Sequence, residues 1–169
     1  MSSGSAATTR SAGRWRPIVA AAAAAIVVGS LGALSTDIGP WYRSLKEPWW
    51  KPPDILFGPA WTAIYACAAS AGVIAWRRAV TRAQRGWILG LFALNAFANV
   101  LWSVLFFRMQ RPDWALAEVA LLWLTIAALM FHLGRLARAG AWLLLPYILW
   151  VSFAALLNDA VVRLNGPFG

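Results

Sequence analysis

Five long apolar runs are the feature of this sequence that most restricts its fold. They cover residues 17–35, 58–76, 86–107, 114–133 and 140–162, to within a residue or two at each end. A helix needs about 20 mostly apolar residues to cross the hydrocarbon core of a bilayer, and each run is close to that length. Backbone groups in lipid must form their hydrogen bonds within the segment, so the runs predict helices. The strict alternation of a membrane β-barrel is absent.

The composition agrees with a membrane protein. Hydrophobic residues make up 61% of the chain and charged residues 12%, whereas a soluble domain has about 45–50% and about 25%. The net charge of +9 could indicate a nucleic-acid partner, but nearly all the arginines lie between apolar runs, where membrane topology explains them. Cys67 falls within a run and is interpreted as a packing residue. We expect an all-α integral membrane protein with five transmembrane helices in one bundle, no metal site and no nucleic-acid partner.

The remaining segments suggest three regions and an orientation. Residues 1–16 are rich in Ser, Ala, Thr, Gly and Arg and predict a disordered basic tail. Residues 17–165 form the membrane domain, and residues 166–169 form a short C-terminal tail. The first run is longer than the apolar part of a usual signal peptide and is read as a retained span. Nine Lys and Arg residues lie on the side of the tail and six on the other side. This bias favours a bacterial cell membrane with the N-terminus in the cytoplasm.

The first connector is long and chemically unusual. Its second half continues into the next run as KEPWWKPPDILFGPAWT (Lys46–Thr62), with four prolines, three tryptophans and four charges. Irregular loops of this length are uncommon in compact domains and tend to be functional. Prolines also reduce the freedom of a loop. We therefore predict a preformed lid over the bundle, with Trp61 directed inward.

Two helical faces combine amide and aromatic side chains. Helical spacing places four residues on one face of the third run and four on one face of the fifth run: Asn95, Asn99, Trp102 and Phe106, and Tyr147, Trp150, Ala154 and Asn158. Asparagine in a span often only joins helices through hydrogen bonds. Polar groups among aromatic rings are also how small-ligand sites are built. Both readings remain open from spacing alone.

Other tryptophans and small residues have membrane roles. Trp15, Trp76, Trp114 and others lie at run ends and fit an interfacial aromatic belt. Two small-xxx-small patterns, Gly86–Gly90 and Gly29–Ala33, indicate close helix approach and a homodimer.

Four stretches together resemble a known family. They are WYRSLKEPWWKPPDILFGPAWTAIY (Trp41–Tyr65), ANVLWSVLFF (Ala98–Phe107), DWALAE (Asp113–Glu118) and PYILWVSFAALLN (Pro146–Asn158). In order and content they are similar to the tryptophan-rich sensory protein/translocator protein family (TspO/MBR). The similarity covers roughly residues 17–165, and its most specific part is the Pro/Trp block of the first connector.

The resemblance implies a function as well as a fold. Members of the family form dimeric five-helix bundles with a pocket under the first loop. They bind porphyrins, haem-like tetrapyrroles, sterols and synthetic isoquinoline-type ligands. The resemblance thus implies a membrane receptor, sensor or transporter-like protein for protoporphyrin IX or related tetrapyrroles, linked to tetrapyrrole metabolism or to oxidative or light stress. No cofactor is required, since the porphyrin or haem is the ligand.

The resemblance also implies the pocket residues by motif position. Carried over in this way, they are Tyr42, Pro52, Trp61, Asn99, Trp102, Trp114, Leu121, Trp150 and Ala154. Asp159 stands where the animal sterol pattern has a central tyrosine, which argues against specific sterol recognition. Ser103 and Val104 stand where the family often has prolines.

Two other functions remain open at this level. One is a light- and oxygen-dependent porphyrin-degrading enzyme, in which Trp61 and Trp150 would be the oxidisable residues; the sequence contains no other visible catalytic set. The other is a structural membrane scaffold without a ligand, in which the tryptophans are belts and the asparagines join helices.

Overall fold

Seven helices form the described part of the chain. The computed structural model describes residues 5–168, with side chains from Trp15 onward. The helices are α1 (Ser5–Ser35), α2 (Pro40–Ser44), α3 (Phe57–Arg78), α4 (Arg82–Ser103), α5 (Pro112–Leu136), α6 (Arg138–Leu143) and α7 (Leu145–Asn165). A 3₁₀ turn, Asp54–Leu56, leads into α3, and a π-helical segment, Val104–Arg108, continues α4.

The five predicted spans are confirmed. Five helical stretches are long and apolar enough to cross a membrane: Trp15–Ser35, Asp54–Arg78, Arg82–Arg108, Pro112–Leu136 and Arg138–Asn165. The protein is therefore an all-α, multi-pass membrane protein whose long first connector covers one end of the bundle.

The N-terminal boundary differs from the expectation. The first helix already begins at Ser5, within the segment predicted to be a disordered tail. Alanine and arginine, which are frequent there, have high helix propensity, so the helix can extend ahead of the apolar run. The first four residues of the predicted tail, and Gly169 of the C-terminal one, lie outside the described residues.

Local signals set two boundaries that hydropathy alone misses. Helix α4 begins four residues before the predicted run because Thr81 and Gln84 form a capping box. The Thr81 hydroxyl accepts from the Gln84 amide nitrogen, and the Gln84 side chain accepts from the Thr81 nitrogen, both at 3.1 Å. The fifth span is broken between α6 and α7 at Leu144. Pro146 lacks a backbone N–H and cannot continue the hydrogen-bond pattern of a preceding helix.

The spans form a ring around an internal space. In order around the ring, α1 packs on α3 and on α4, α4 packs on α5, and α5 packs on α7. The ring closes between α3 and the fifth span in two different ways. Helix α6 packs closely on α3, where a Cβ at Gly140 would lie 3.6 Å from the Ala71 carbonyl. After the break at Leu144, helix α7 makes few contacts with α3.

A chain of side-chain hydrogen bonds ties four spans together in the core. The Tyr65 hydroxyl donates to Asn99 (2.6 Å), and Asn99 donates to the Tyr147 hydroxyl (3.1 Å). Tyr147 donates to Asn95 (3.1 Å), and Asn95 donates to Thr125 (2.9 Å). Helices α3, α4, α7 and α5 each contribute to this chain, which we call the polar chain.

We predict that Tyr147→Phe lowers the stability of the bundle more than Tyr65→Phe. Tyr147 is 2% exposed and makes two bonds of the polar chain, so its loss leaves two buried amides under-bonded, at a cost of about 1–2 kcal/mol. Tyr65→Phe removes one bond at the end of the chain. Thermal unfolding in detergent measures the difference. An equal or smaller effect for Tyr147→Phe would show that the polar chain does not hold the helices.

Candidate functional site

A cavity of about 570 Å³ lies inside the ring, next to the first connector. All five spans and the connector contribute to its walls. Small-molecule sites usually have volumes of roughly 300–1,000 Å³. The cavity is therefore large enough for a sizeable ligand and is the candidate functional site.

Aromatic rings from three spans line the cavity. On α3, Trp61 stacks on Tyr65 with ring centroids 5.3 Å apart. On α4, Trp102 stacks on Phe106 at 5.1 Å. On α7, Trp150 meets Phe57 edge to face at 5.5 Å. These ring contacts hold the three indoles in position at the cavity.

Most of the polar side chains that line the cavity are already hydrogen-bonded within the protein. The side-chain oxygen and the side-chain nitrogen of Asn99 both take part in the polar chain. Asn158 is 1% exposed. In the amide orientation that satisfies both neighbours, it donates to the Pro112 carbonyl (3.1 Å) and accepts from the Leu116 nitrogen (3.0 Å). These bonds fasten α7 to the first turn of α5. The surface left for a ligand is accordingly aromatic and apolar.

The π-helical segment shapes the wall formed by α4. The Met109 nitrogen donates to the Val104 carbonyl at 2.9 Å, a bond across five residues instead of four. In this wider turn the ring centroids of Phe106 and Phe107 are 4.8 Å apart. Both rings line the cavity. The widening follows Ser103, at the place where the resemblance leads one to expect prolines. Arg108, at the end of the segment, donates to the Leu34 carbonyl at the end of α1.

Lys51 organises the part of the connector that covers the cavity. Its ammonium group lies 2.5 Å from Glu47 Oε1 and 2.6 Å from Asp54 Oδ1, and 4.9 Å from the centre of the Tyr42 ring. The Tyr42 hydroxyl donates to Asp54 at 3.1 Å. We call these four residues the lid cluster. The Lys51 side chain is only 9% exposed, so its charge is compensated within the connector.

The lid cluster persists over a wide pH range. Burial alone would lower the pKa of Lys51, but its hydrogen bonds to Asp54, Glu47 and Tyr42 outweigh that effect and raise the pKa above the ordinary value. A raised lysine pKa adds stability that is complete below the ordinary value of about 10.4 and is lost as the pH rises through the raised one. At neutral pH the ammonium group is therefore charged and paired.

Asn165 fastens the connector to the last turn of α7. Its side-chain oxygen accepts from the Lys46 nitrogen at 2.7 Å, and its side-chain nitrogen donates to the Lys46 carbonyl at 2.9 Å. The same nitrogen donates to the Val161 carbonyl at 2.8 Å. Two bonds to the backbone of one residue, Lys46, make a directional clasp, which we call the Asn165 clasp.

The structure places six of the nine sequence-derived pocket residues on the cavity wall. They are Tyr42, Trp61, Asn99, Trp102, Trp150 and Ala154. Their role in binding a ligand remains a prediction.

The other three, Pro52, Trp114 and Leu121, do not line the cavity, and their role in binding a ligand also remains a prediction. Pro52 does not line the cavity, whereas its neighbour Lys51 does. Trp114 is 47% exposed and Leu121 is 41% exposed. These two lie seven residues apart on one side of α5, while Val119 and Leu122 line the cavity from another side. Trp114 instead makes a cation–π contact with Arg111, whose guanidinium carbon lies 4.3 Å from the centre of the indole ring. Such a contact is typical of a residue at the membrane boundary.

Sequence reasoning missed Tyr65, Lys51 and Asn165. Tyr65 lies four residues after Trp61 on the same helix face, so helical spacing could have found it. Helical spacing could not have shown that Lys51 pairs with Glu47 and Asp54 in an irregular loop. It also could not have shown that Asn165 bonds Lys46. The Gly29–Ala33 pattern also has a different use: a Cβ at Gly29 would lie 3.5 Å from the Tyr65 ring, and both residues line the cavity. Asp159 and Arg163, four residues apart on α7, form an ion pair at 2.8 Å.

These features define a class: a five-span membrane protein with an internal aromatic cavity under a fastened loop. A comparison with protein families matches residues 19–164 to the TspO/MBR family, and the chain belongs to that family. The chain is 33% identical over 150 residues to the tryptophan-rich protein TspO of Archaeoglobus fulgidus, covering 88% of this chain and 96% of that one.

Two further relatives carry different names. The chain is 36% identical over 125 residues to the tryptophan-rich sensory protein of Cereibacter sphaeroides, covering 74% of this chain and 77% of that one. It is 31% identical over 160 residues to the translocator protein of Bos taurus, covering 90% and 95%. Bacterial, archaeal and mammalian proteins are therefore all similar to this chain over most of their lengths.

We predict that Lys51→Gln loosens the connector. The change removes the charge that compensates Glu47 and Asp54, so their carboxylates repel each other and the lid cluster opens. In detergent at pH 7, chymotrypsin should cleave after Trp49 and Trp50 several times faster than in the unchanged protein. Lys46→Gln is the matched control, because the Lys46 side chain is exposed and only its backbone is in the Asn165 clasp. Equal cleavage rates for the two variants would contradict the role of Lys51.

Proposed function

We propose that the protein is a membrane receptor or sensor that binds porphyrins and related tetrapyrroles in the cavity. One observation carries the proposal: three indoles from three helices, Trp61, Trp102 and Trp150, border one apolar space. A flat aromatic macrocycle can stack on such walls, and stacked aromatic pairs gain about 0.5–1.5 kcal/mol beyond their buried area. Synthetic isoquinoline-type ligands are flat and aromatic too and fit the same description.

The few polar groups suggest how such a ligand is oriented. The Tyr65 hydroxyl uses its hydrogen to bond Asn99 but keeps acceptor capacity. A hydrogen-bond donor at the ligand edge can therefore bond to Tyr65 without breaking the polar chain. Charged propionate groups are costly in an apolar cavity, so they belong at the end where the connector meets water.

The names of the relatives agree with a sensory or transport outcome. One is called a tryptophan-rich sensory protein and another a translocator protein. Under this proposal, occupancy of the cavity reports tetrapyrrole level or oxidative or light stress to other components. A protein that only sensed the ligand and one that passed it across the membrane would share the site described here.

We further propose a bacterial cell membrane with a cytoplasmic N-terminus, and a homodimer. The first follows from the distribution of Lys and Arg. For the second, a Cβ added at Gly86 or Gly90 would meet nothing within 4 Å. The outer side of α4 is thus open for the close approach of a second copy.

We predict that protoporphyrin IX quenches the tryptophan fluorescence of the purified protein saturably. Trp61→Ala and Trp150→Ala should each weaken binding about tenfold, which corresponds to about 1.4 kcal/mol, because each removes one stacking surface. Trp114→Ala is the matched control, since Trp114 lies outside the cavity, and it should leave the dissociation constant unchanged.

Two results would contradict the proposal. A linear, unsaturable quench would indicate partition into the detergent micelle and favour a structural role without a ligand. Equal weakening by Trp114→Ala would place the binding site on the outer surface of the bundle.

A further inference from the structure

A groove on the outer surface of the bundle lies next to the cavity, between α3 and α7. It has a volume of about 440 Å³, and its walls are apolar. Ala60, Ala63, Ile64 and Cys67 form the α3 side, and three of these four side chains are small. Pro146, Leu149 and Phe153 form the α7 side. The groove lies where α7 and α3 make few contacts, on the C-terminal side of the helix break near Pro146. It is the least closely packed seam of the ring.

Trp150 is the one described residue that lines both the cavity and the groove. Its ring is held by edge and tilted contacts to Phe57 and Phe153, at 5.5 and 5.8 Å. The indole nitrogen is buried and has no hydrogen-bond partner among the described residues. A change of its side-chain rotamer therefore breaks no hydrogen bond. Such a rotamer change of Trp150 would connect the cavity with the groove.

The opposite route, past the connector, is closed by polar bonds. The Asn165 clasp holds the connector to α7 through two hydrogen bonds, and both must break before the connector can lift away from α7. Opening the connector therefore costs hydrogen bonds. Moving one unbonded indole in the seam costs none.

We propose that apolar ligands enter and leave the cavity from the lipid bilayer, through the seam between α3 and α7, with Trp150 as the gate. The proposal rests on the proposed function for the identity of the ligand. A porphyrin dissolved in the bilayer is already at the depth of the seam. The small side chains of Ala60, Ala63 and Cys67 leave room beside Trp150 for it to pass.

The experiment compares rates with affinities. The protein is reconstituted in phosphatidylcholine vesicles, and quenching by protoporphyrin IX is followed by stopped flow. Ala63→Phe fills the groove without touching the cavity. It should slow association and dissociation together by about tenfold and leave the dissociation constant unchanged, because a blocked passage alters a barrier and not the bound state. Ala66→Phe, exposed on the same helix but outside the groove, should behave like the unchanged protein.

Cys67 supplies an independent test in the unmutated chain, where it is the only cysteine. Benzyl methanethiosulfonate attaches a benzyl thiol to Cys67 as a mixed disulfide and should slow both rates. Reduction should restore them, and Cys67→Ala should be insensitive to the reagent. This arm decides the question even if Ala63→Phe does not fold.

Asn165→Ala distinguishes the two routes. It opens the Asn165 clasp and should leave the rates unchanged if the ligand uses the seam. Faster exchange in Asn165→Ala, together with normal rates in Ala63→Phe or in the benzylated protein, would overturn the seam in favour of the connector. Absence of saturable quenching in the unchanged protein would instead overturn the proposed ligand. The two failures are therefore separable.

Discussion

The polar chain from Tyr65 to Thr125 is the interaction on which the rest of the structure depends. Lipid tails are as apolar as the faces of the helices, so apolar contact alone does not fix how each helix is rotated. Amide and hydroxyl groups in hydrocarbon need partners, and the two asparagines of α4 find them on three other helices. Once those rotations are set, Trp61, Trp102 and Trp150 face the same space. The cavity is thus a consequence of where the buried polar groups are satisfied.

Much of the fold could be predicted because the membrane imposes a length on each span. The apolar runs predict the number of membrane spans and most of their bounds. The break at Leu144 could also have been read from Pro146, and the early start of α4 from Thr81 and Gln84. The π-helical turn could not, because Val104–Arg108 contains no residue that requires it. That turn makes ring contacts with α2, whose position the local sequence does not show: the Trp41 and Phe106 ring centroids are 6.1 Å apart, and those of Tyr42 and Phe107 are 5.6 Å apart.

The candidate site was predictable where helical spacing carried the information. Asn99, Trp102, Trp150 and Ala154 share faces with other polar or aromatic residues, and they line the cavity. Trp114 and Leu121 came from motif position, and α5 is apolar nearly all round, so its sequence does not define which side faces inward. Lys46 and Asn165 are 119 residues apart. No local pattern could have shown that their groups meet.

The Asn165 clasp gives the end of the chain a role in the cover of the cavity. Asn165 is the last residue of α7, and helix ends fray. Fraying of that last turn would break the two hydrogen bonds to Lys46 and loosen the cover of the cavity at the same time.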